Sequence, residues 1–90
     1  MLDRFSRWIE KRHTSRQRMQ ADARVLIQEN ERKAYYTAQR LAARSRAEGN
    51  RAEFWHWARV ASEVARVSPV AEMDMEIVKA IADEEQNRIW

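Results

Sequence analysis

The chain has 90 residues, a formal net charge of +3, 34% charged and 44% hydrophobic residues, one Gly, one Pro and no Cys. This length fits one domain with a small core, and the lack of Cys excludes disulfides, thiolate catalysis and cysteine-based zinc sites. Because turn residues are so scarce, neither a β-sandwich nor a disordered chain is favoured. We expect an all-α helical bundle that forms a single domain over residues 1–90.

The first predicted helix covers about residues 2–13 and is amphipathic. Its apolar stripe consists of Leu2, Phe5, Trp8 and Ile9. The basic residues outside the stripe are Arg4, Arg7 and Lys11. Such a segment fits its own domain, a protein partner or an anionic membrane surface, so residues 1–13 are treated as a helix that can dock separately. No signal-peptide core follows Met1, and we expect a cytoplasmic protein that can also lie at the inner membrane surface.

The second predicted helix is long, about residues 15–48, with Thr14 or Ser15 as its N-cap. One face is a continuous stripe of mostly small residues, which allows a neighbouring helix to approach closely. The stripe consists of Met19, Ala23, Leu26, Ile27, Asn30, Ala34, Thr37, Ala38, Leu41 and Ser45. Tyr36 falls on the opposite face and is expected to be exposed. A basic band that nucleic acid could contact follows one flank and consists of Lys33, Arg40 and Arg44.

Gly49-Asn50 predicts the end of this helix and the start of the next, which covers about residues 51–67. Gly at the position after a helix takes a positive φ without strain. Asn50 can cap the following helix, with Glu53 reaching back in a capping box. Because the connection is so short, the two helices should form an antiparallel hairpin.

The third predicted helix contains the unusual sequence Phe54-Trp55-His56-Trp57. A helix turns only about half of four consecutive residues toward one core, so we expect Phe54 and Trp57 to point into the hairpin. Trp55 is then covered by the first or the fourth helix, faces a partner, or lines a ligand pocket. Exposed Trp is favoured at interaction hot spots. His56 is expected to be solvated or loosely hydrogen-bonded.

Ser68-Pro69 predicts a fourth helix over about residues 69–88, with Ser68 as N-cap and Pro69 at the first helical position. This helix should pack across the hairpin through an apolar stripe of Val70, Met73, Ile77, Ala80 and Ile81.

Charge is distributed unevenly along the chain. Residues 1–51 contain thirteen Lys and Arg against six Asp and Glu, a net +7, whereas residues 52–90 contain four against eight, a net −4. The halves can therefore attract each other within one chain, or between two copies paired head to tail.

No residue pattern predicts catalysis, a metal site or a cofactor site. A metal site usually needs three or four ligands, whereas the sequence has only two histidines, His13 and His56, and Asp74 and Glu76 are expected on divergent faces of a helix. A glycine-rich phosphate loop and a Ser-His-Asp arrangement are both missing from the sequence. We expect a non-enzymatic protein without a small-molecule substrate.

Residues 33–69 resemble one tetratricopeptide-type helical hairpin. Small residues line the first helix, Gly49-Asn50 forms the turn, and the second helix closes with ARVSP, where that family often has an apolar residue, an acid and Pro. The spacing from turn to Pro is longer than the family's usual one, and no second repeat is present. The resemblance implies a scaffold that binds peptides or partner helices, with no functional residue carried over. The whole chain also looks like short, Arg- and Ala-rich helical proteins of bacteria.

These features predict a protein–protein interaction module, either a small adaptor, an assembly subunit or a homodimer. The aromatic residues expected to contact a partner are Trp55, Tyr36, Trp90, Phe5 and Trp8. The alternative is a peripheral binder of anionic membrane or nucleic acid. Its contacts would come from the basic half of the chain, through Arg4, Arg7, Lys11, Lys33, Arg40 and Arg44.

Overall fold

A computed structural model of the chain describes the backbone of residues 2–89 and the side chains of residues 14–88. Within this part the chain is all-α, as predicted. The four helices are α1 (Leu2–Asn30), α2 (Ala34–Ala47), α3 (Arg51–Val67) and α4 (Met75–Ile89), and a 3₁₀ turn over Glu31–Lys33 joins α1 to α2.

The hairpin between α2 and α3 forms as predicted. Gly49 has φ 78°, and its N–H donates to the Arg46 carbonyl at 3.0 Å. The Asn50 N–H donates to the Ser45 carbonyl at 2.8 Å, which completes a Schellman ending of α2. The Asn50 side chain then accepts the Glu53 N–H at 3.1 Å and caps α3.

The core is narrow and consists mainly of small residues. Its buried members are Ala23, Leu26, Ala34, Ala38, Val60, Ala61 and Val64, from α1, α2 and α3. The small side chains allow the three helix backbones to approach closely, as the stripe on the predicted long helix indicates. Trp57 packs against this cluster from α3, as expected.

The helices are arranged with α3 between α1 and α2, and with α4 packed on α2 alone among the described helices. Arg18 of α1 pairs with Glu53 of α3, and Asp22, one turn later in α1, pairs with His56, which is also further along α3. The two helices therefore run in the same direction. The fourth helix therefore lies at the side of α2 and does not cross the hairpin.

The predicted break near residues 13–15 is wrong, because α1 is continuous from Leu2 to Asn30. Thr14 and Ser15 are exposed positions within this helix. Ser and Thr cap a helix only where the backbone leaves the helical conformation, and the Arg- and Gln-rich sequence that follows has a high helix propensity.

The long helix predicted over 15–48 is interrupted at the 3₁₀ turn, where Asn30 is extended, with φ −164° and ψ 93°. Hydrogen bonds from a distant segment stabilise the interruption. The Glu72 N–H donates to the Arg32 carbonyl at 2.9 Å, and the Ser68 hydroxyl donates to the Glu31 carboxylate at 2.6 Å. Neither Gly nor Pro marks this break in the sequence.

The fourth helix begins at Met75 and not at Pro69. Ser68 serves the end of α3: its N–H donates to the Val64 carbonyl, and its hydroxyl oxygen accepts the Val70 and Ala71 N–H groups. This arrangement holds residues 68–74 in an irregular connection.

The N-cap of α4 is Asp74, whose side chain accepts the Glu76 N–H at 2.9 Å. Val70 and Met73, which were expected in the apolar stripe of a longer helix, lie in the connection and are exposed.

Candidate interaction surface

Trp55 is the most exposed large hydrophobic side chain described, at 57%. It lies on the solvent side of α3, with Arg51 and Arg59 one helical turn before and after it. The Phe54 ring meets the Trp55 ring edge to face, with centroids 5.1 Å apart and an interplanar angle of 67°. The Arg46 guanidinium lies 5.9 Å from the centre of the Phe54 ring. The exposed indole of Trp55 is thus supported on one side by the Phe54 ring.

We call the five residues Arg46, Arg51, Phe54, Trp55 and Arg59 the Arg–Trp face. All three arginines are exposed, and none of them has an acidic partner among the described side chains. Trp55 was predicted from the sequence as a contact residue but its flanking arginines were not, although their i±4 spacing was the available signal. The face combines a flat apolar ring with unpaired positive charge.

The cations of the basic band predicted on the second helix are paired with acidic residues of the chain, and a role for them in binding nucleic acid stays a prediction. The Lys33 Nζ atom lies 2.6 Å from the Glu72 carboxylate. This contact lowers the pKa of Glu72 through the Lys33 hydrogen bond. Lys33 therefore ties the connection between α3 and α4 to the start of α2.

Arg40 and Arg44 converge on Glu85, whose side chain is only 2% exposed. Arg40 donates to Glu85 at 2.7 Å and to Glu84 at 2.8 Å, and Arg44 donates to Glu85 at 2.9 Å. Arg88 lies 3.7 Å from the same carboxylate. The Arg44 hydrogen bond is the main reason that the pKa of Glu85 falls below its ordinary value. The predicted attraction between the two halves of the chain operates here, between α2 and α4.

Tyr36 is not the exposed partner residue that the sequence predicts, since it is 8% exposed. Its hydroxyl oxygen accepts the Asp74 N–H at 2.8 Å, just before α4 begins. The Lys33 ammonium lies 5.6 Å from the centre of its ring. Tyr36 is covered because α4 packs on the side of α2 that faces away from α3.

His56 is also more enclosed than expected, with a side chain that is 9% exposed. Its Nε2 atom lies 2.7 Å from the Asp22 carboxylate, and its ring meets the Trp57 ring edge to face at 4.8 Å. Because the carboxylate comes from α1, His56 links α3 to α1.

The capping box predicted at Glu53 forms only in part. The Glu53 N–H bonds to Asn50, whereas the Glu53 carboxylate accepts two hydrogen bonds from Arg18, at 3.0 and 3.1 Å. The Arg18 hydrogen bond is the largest cause of the lowered pKa of Glu53. Glu53 is therefore used to join α1 to α3.

Most of the other exposed large apolar side chains lie on the connection and on the first turn of α4. They are Val70, Met73, Met75 and Ile77, between 41% and 52% exposed, and Val67 at the end of α3 is 45% exposed. None of these exposed side chains is aromatic, and the polar side chains of the connection, Ser68, Glu72 and Asp74, are hydrogen-bonded within the domain.

Several residues predicted to form the site lie outside the described side chains. These are Phe5, Trp8 and Trp90 among the aromatics, and Arg4, Arg7 and Lys11 among the basic residues. Their roles stay predictions.

Within residues 14–88 no group of three or more His, Asp or Glu is arranged to hold a metal ion. No helix in the described part has both the length and the apolar composition needed to cross a bilayer. No protein-family model, curated protein or solved structure matches the chain. The resemblance of residues 33–69 to a tetratricopeptide hairpin thus stays a prediction.

Proposed function

We propose that this protein is a non-enzymatic protein–protein interaction module whose contact surface centres on Trp55. The observation that carries the proposal is an indole 57% exposed on a helix otherwise packed on both sides. Trp57 and Tyr36, by contrast, are used for packing inside the domain. Trp and Arg are the residue types enriched at interaction hot spots, and the Arg–Trp face contains both.

The magnitude of the hydrophobic contribution supports a contact wider than one residue. An aromatic side chain buries about 150–250 Å², so covering the exposed 57% of Trp55 contributes about 2–3.5 kcal/mol. A micromolar complex requires about 8 kcal/mol in addition to the cost of ordering both partners. The flanking Arg46, Arg51 and Arg59 are the groups positioned to supply the remainder through charged hydrogen bonds.

The alternative function, binding to nucleic acid or an anionic membrane, has less support. Lys33, Arg40 and Arg44 are paired with Glu72 and Glu85, which offset much of the positive charge that would attract phosphate. That function would instead depend on the N-terminal Arg4, Arg7 and Lys11.

The test is a photo-cross-linking residue placed at position 55, with the same residue at the exposed position Gln28 of α1 as the matched control. In cells of the native host we expect protein adducts from position 55 and none from position 28. Circular dichroism should give the same helicity for both variants. Equal adducts from the two positions, or none from position 55, would contradict the proposal. Salt-sensitive binding of oligonucleotides or anionic vesicles, retained in Trp55→Ala, would favour the alternative.

A further inference from the structure

We infer that the partner of the Arg–Trp face is α4 of a second copy of this chain, so that copies associate head to tail. The inference rests on the proposed function, and it deepens that function by naming the partner and the contact. Three features support it. The first is an acidic flank on α4 whose carboxylates have no cationic partner among the described side chains. The second is that this flank and the Arg–Trp face match in residue spacing and carry opposite charge, and the third is the position of α2 between the two surfaces.

The acidic flank consists of Glu76, Ala80 and Asp83, with Ile77 beside it. Spacings of four and three residues place Glu76, Ala80 and Asp83 on one stripe of α4. All four are exposed, with Ile77 at 41%. Neither the Glu76 carboxylate nor the Asp83 carboxylate has a cationic partner among the described side chains, and Lys79 lies at the edge of the stripe.

The flank is uncovered because α4 uses a different side to pack. Ile81 is 6% exposed and Glu85 is 2% exposed, and these residues define the side that meets α2. No other described helix packs on α4. The stripe with Glu76 and Asp83 is therefore turned away from the domain.

The Arg–Trp face and the acidic flank have similar lengths and opposite charges. Arg51 and Arg59 are eight residues apart on α3, which at 1.5 Å per residue is about 12 Å. Glu76 and Asp83 are seven residues apart on α4, which is about 10 Å. Each pair has one residue near its middle: a large ring, Trp55, on α3 and a small side chain, Ala80, on α4. Two ion pairs can thus flank an indole that lies over Ala80 and Ile77.

The contact cannot form inside one copy, because α3 and α4 lie on opposite sides of α2. Ala38 belongs to the core shared with α3, whereas Tyr36 and Arg40 contact the start and the body of α4. Each copy therefore offers both halves of the contact and can satisfy neither alone. Contacts between two different surfaces extend from copy to copy.

The inference is tested by charge reversal and rescue in the full chain. One variant carries Arg51→Glu and Arg59→Glu, and the other carries Glu76→Lys and Asp83→Lys. By sedimentation velocity in 50 mM salt we expect the average mass of the wild type to rise above 10.8 kDa with concentration. Each variant alone should associate at least tenfold more weakly, because its two surfaces then carry like charge.

An equal mixture of the two variants should regain association, because each reversed surface meets an opposite charge on the other variant. A defect in folding would give no such recovery. Arg24→Glu on the exposed side of α1 is the matched control and should behave as the wild type. Raising the salt to 500 mM should weaken the association of the wild type.

A wild type that stays monomeric at every concentration, or a mixture that stays monomeric, would overturn the inference. If the cross-linker at position 55 then joins a different protein, the proposed function holds and only the identity of the partner is wrong. If position 55 gives no adduct, both proposals fail.

Discussion

The ion-pair cluster at Glu85 links α4 to α2, and Glu85→Gln tests this link. The Glu85 side chain is 2% exposed and accepts hydrogen bonds from Arg40 at 2.7 Å and Arg44 at 2.9 Å. The substitution retains the size and one oxygen acceptor but removes the charge. It leaves two arginines facing a neutral amide.

The expected loss is smaller than for a fully buried ion pair. Breaking a buried pair costs about 3–5 kcal/mol, because a charge is left without a partner or water. Here the Arg40 and Arg44 side chains are 36% and 41% exposed, so water can solvate them in part. We therefore expect a loss of about 1–3 kcal/mol in the free energy of unfolding. For a domain of this size, that lowers Tm by roughly 5–20 °C.

Thermal unfolding followed by circular dichroism at pH 7 and at pH 3 separates the charge effect from packing. The hydrogen bond from Arg44 lowers the folded-state pKa of Glu85 below its ordinary value of 4.5. A carboxyl group with a lowered folded pKa stabilises the fold above its unfolded pKa, and this contribution is lost as the pH falls through the folded pKa. The difference in Tm between wild type and Glu85→Gln should therefore be largest at pH 7 and should shrink at pH 3.

Glu84→Gln is the matched control for this experiment. Glu84 contacts the same Arg40 at 2.8 Å, but its side chain is 60% exposed. Exposed ion pairs contribute about 0–1 kcal/mol, so its Tm should stay close to that of the wild type. Equal losses for the two variants, or a difference that persists at pH 3 for Glu85→Gln, would refute the reasoning.

Four further substitutions test single features of the chain. Gly49→Ala should cost about 1 kcal/mol in urea unfolding, because an added Cβ meets no atom within 4 Å and only the positive φ is strained. Tyr36→Phe removes the acceptor of the Asp74 N–H and should cost about 1 kcal/mol, with faster hydrogen exchange at that amide. Trp57→Ala removes a ring packed on the core and should cost about 3 kcal/mol in thermal unfolding, whereas Trp55→Ala should change stability by less than about 0.5 kcal/mol.

The hairpin could be predicted because its signals are local. Gly49 ends α2 and Asn50 caps α3 through atoms that lie within five residues of each other. Such contacts depend little on the rest of the chain. The core stripe of Ala23, Ala34 and Ala38 was likewise visible in the helical spacing.

Two of the three misplaced helix boundaries depend on contacts between distant residues. The break after Asn30 is stabilised by the hydrogen bond from Glu72 to the Arg32 carbonyl, forty positions along the chain. Ser68-Pro69 and Asp74 are both good helix-start signals. The choice between them is made by Tyr36, whose hydroxyl fixes Asp74 at the start of α4.

The exposure of Tyr36 was mispredicted because a helical wheel assumes one neighbour for each helix. α2 has two neighbours, with α3 on the side of Ala34 and Ala38 and α4 on the side of Tyr36 and Arg40. A helix between two neighbours has two buried sides. The side of α2 that carries Tyr36 and Arg40 is covered because α4 supplies the carboxylate of Glu85 to pair with the arginine. The sequence contained the needed charges but not their pairing.

Pairing, more than composition, determines which of the described cations are left without an acidic neighbour inside the domain. Arg40 and Arg44 are positioned by α4 and neutralised by Glu85, whereas Arg51 and Arg59 on α3 meet no acid among the described residues. Glu85→Gln would remove the negative charge that pairs with the first two arginines and would leave their positive charge uncompensated on α2. Nucleic-acid binding gained by that variant would therefore report the lost ion pairs, and only binding that depends on Trp55 would report the native surface.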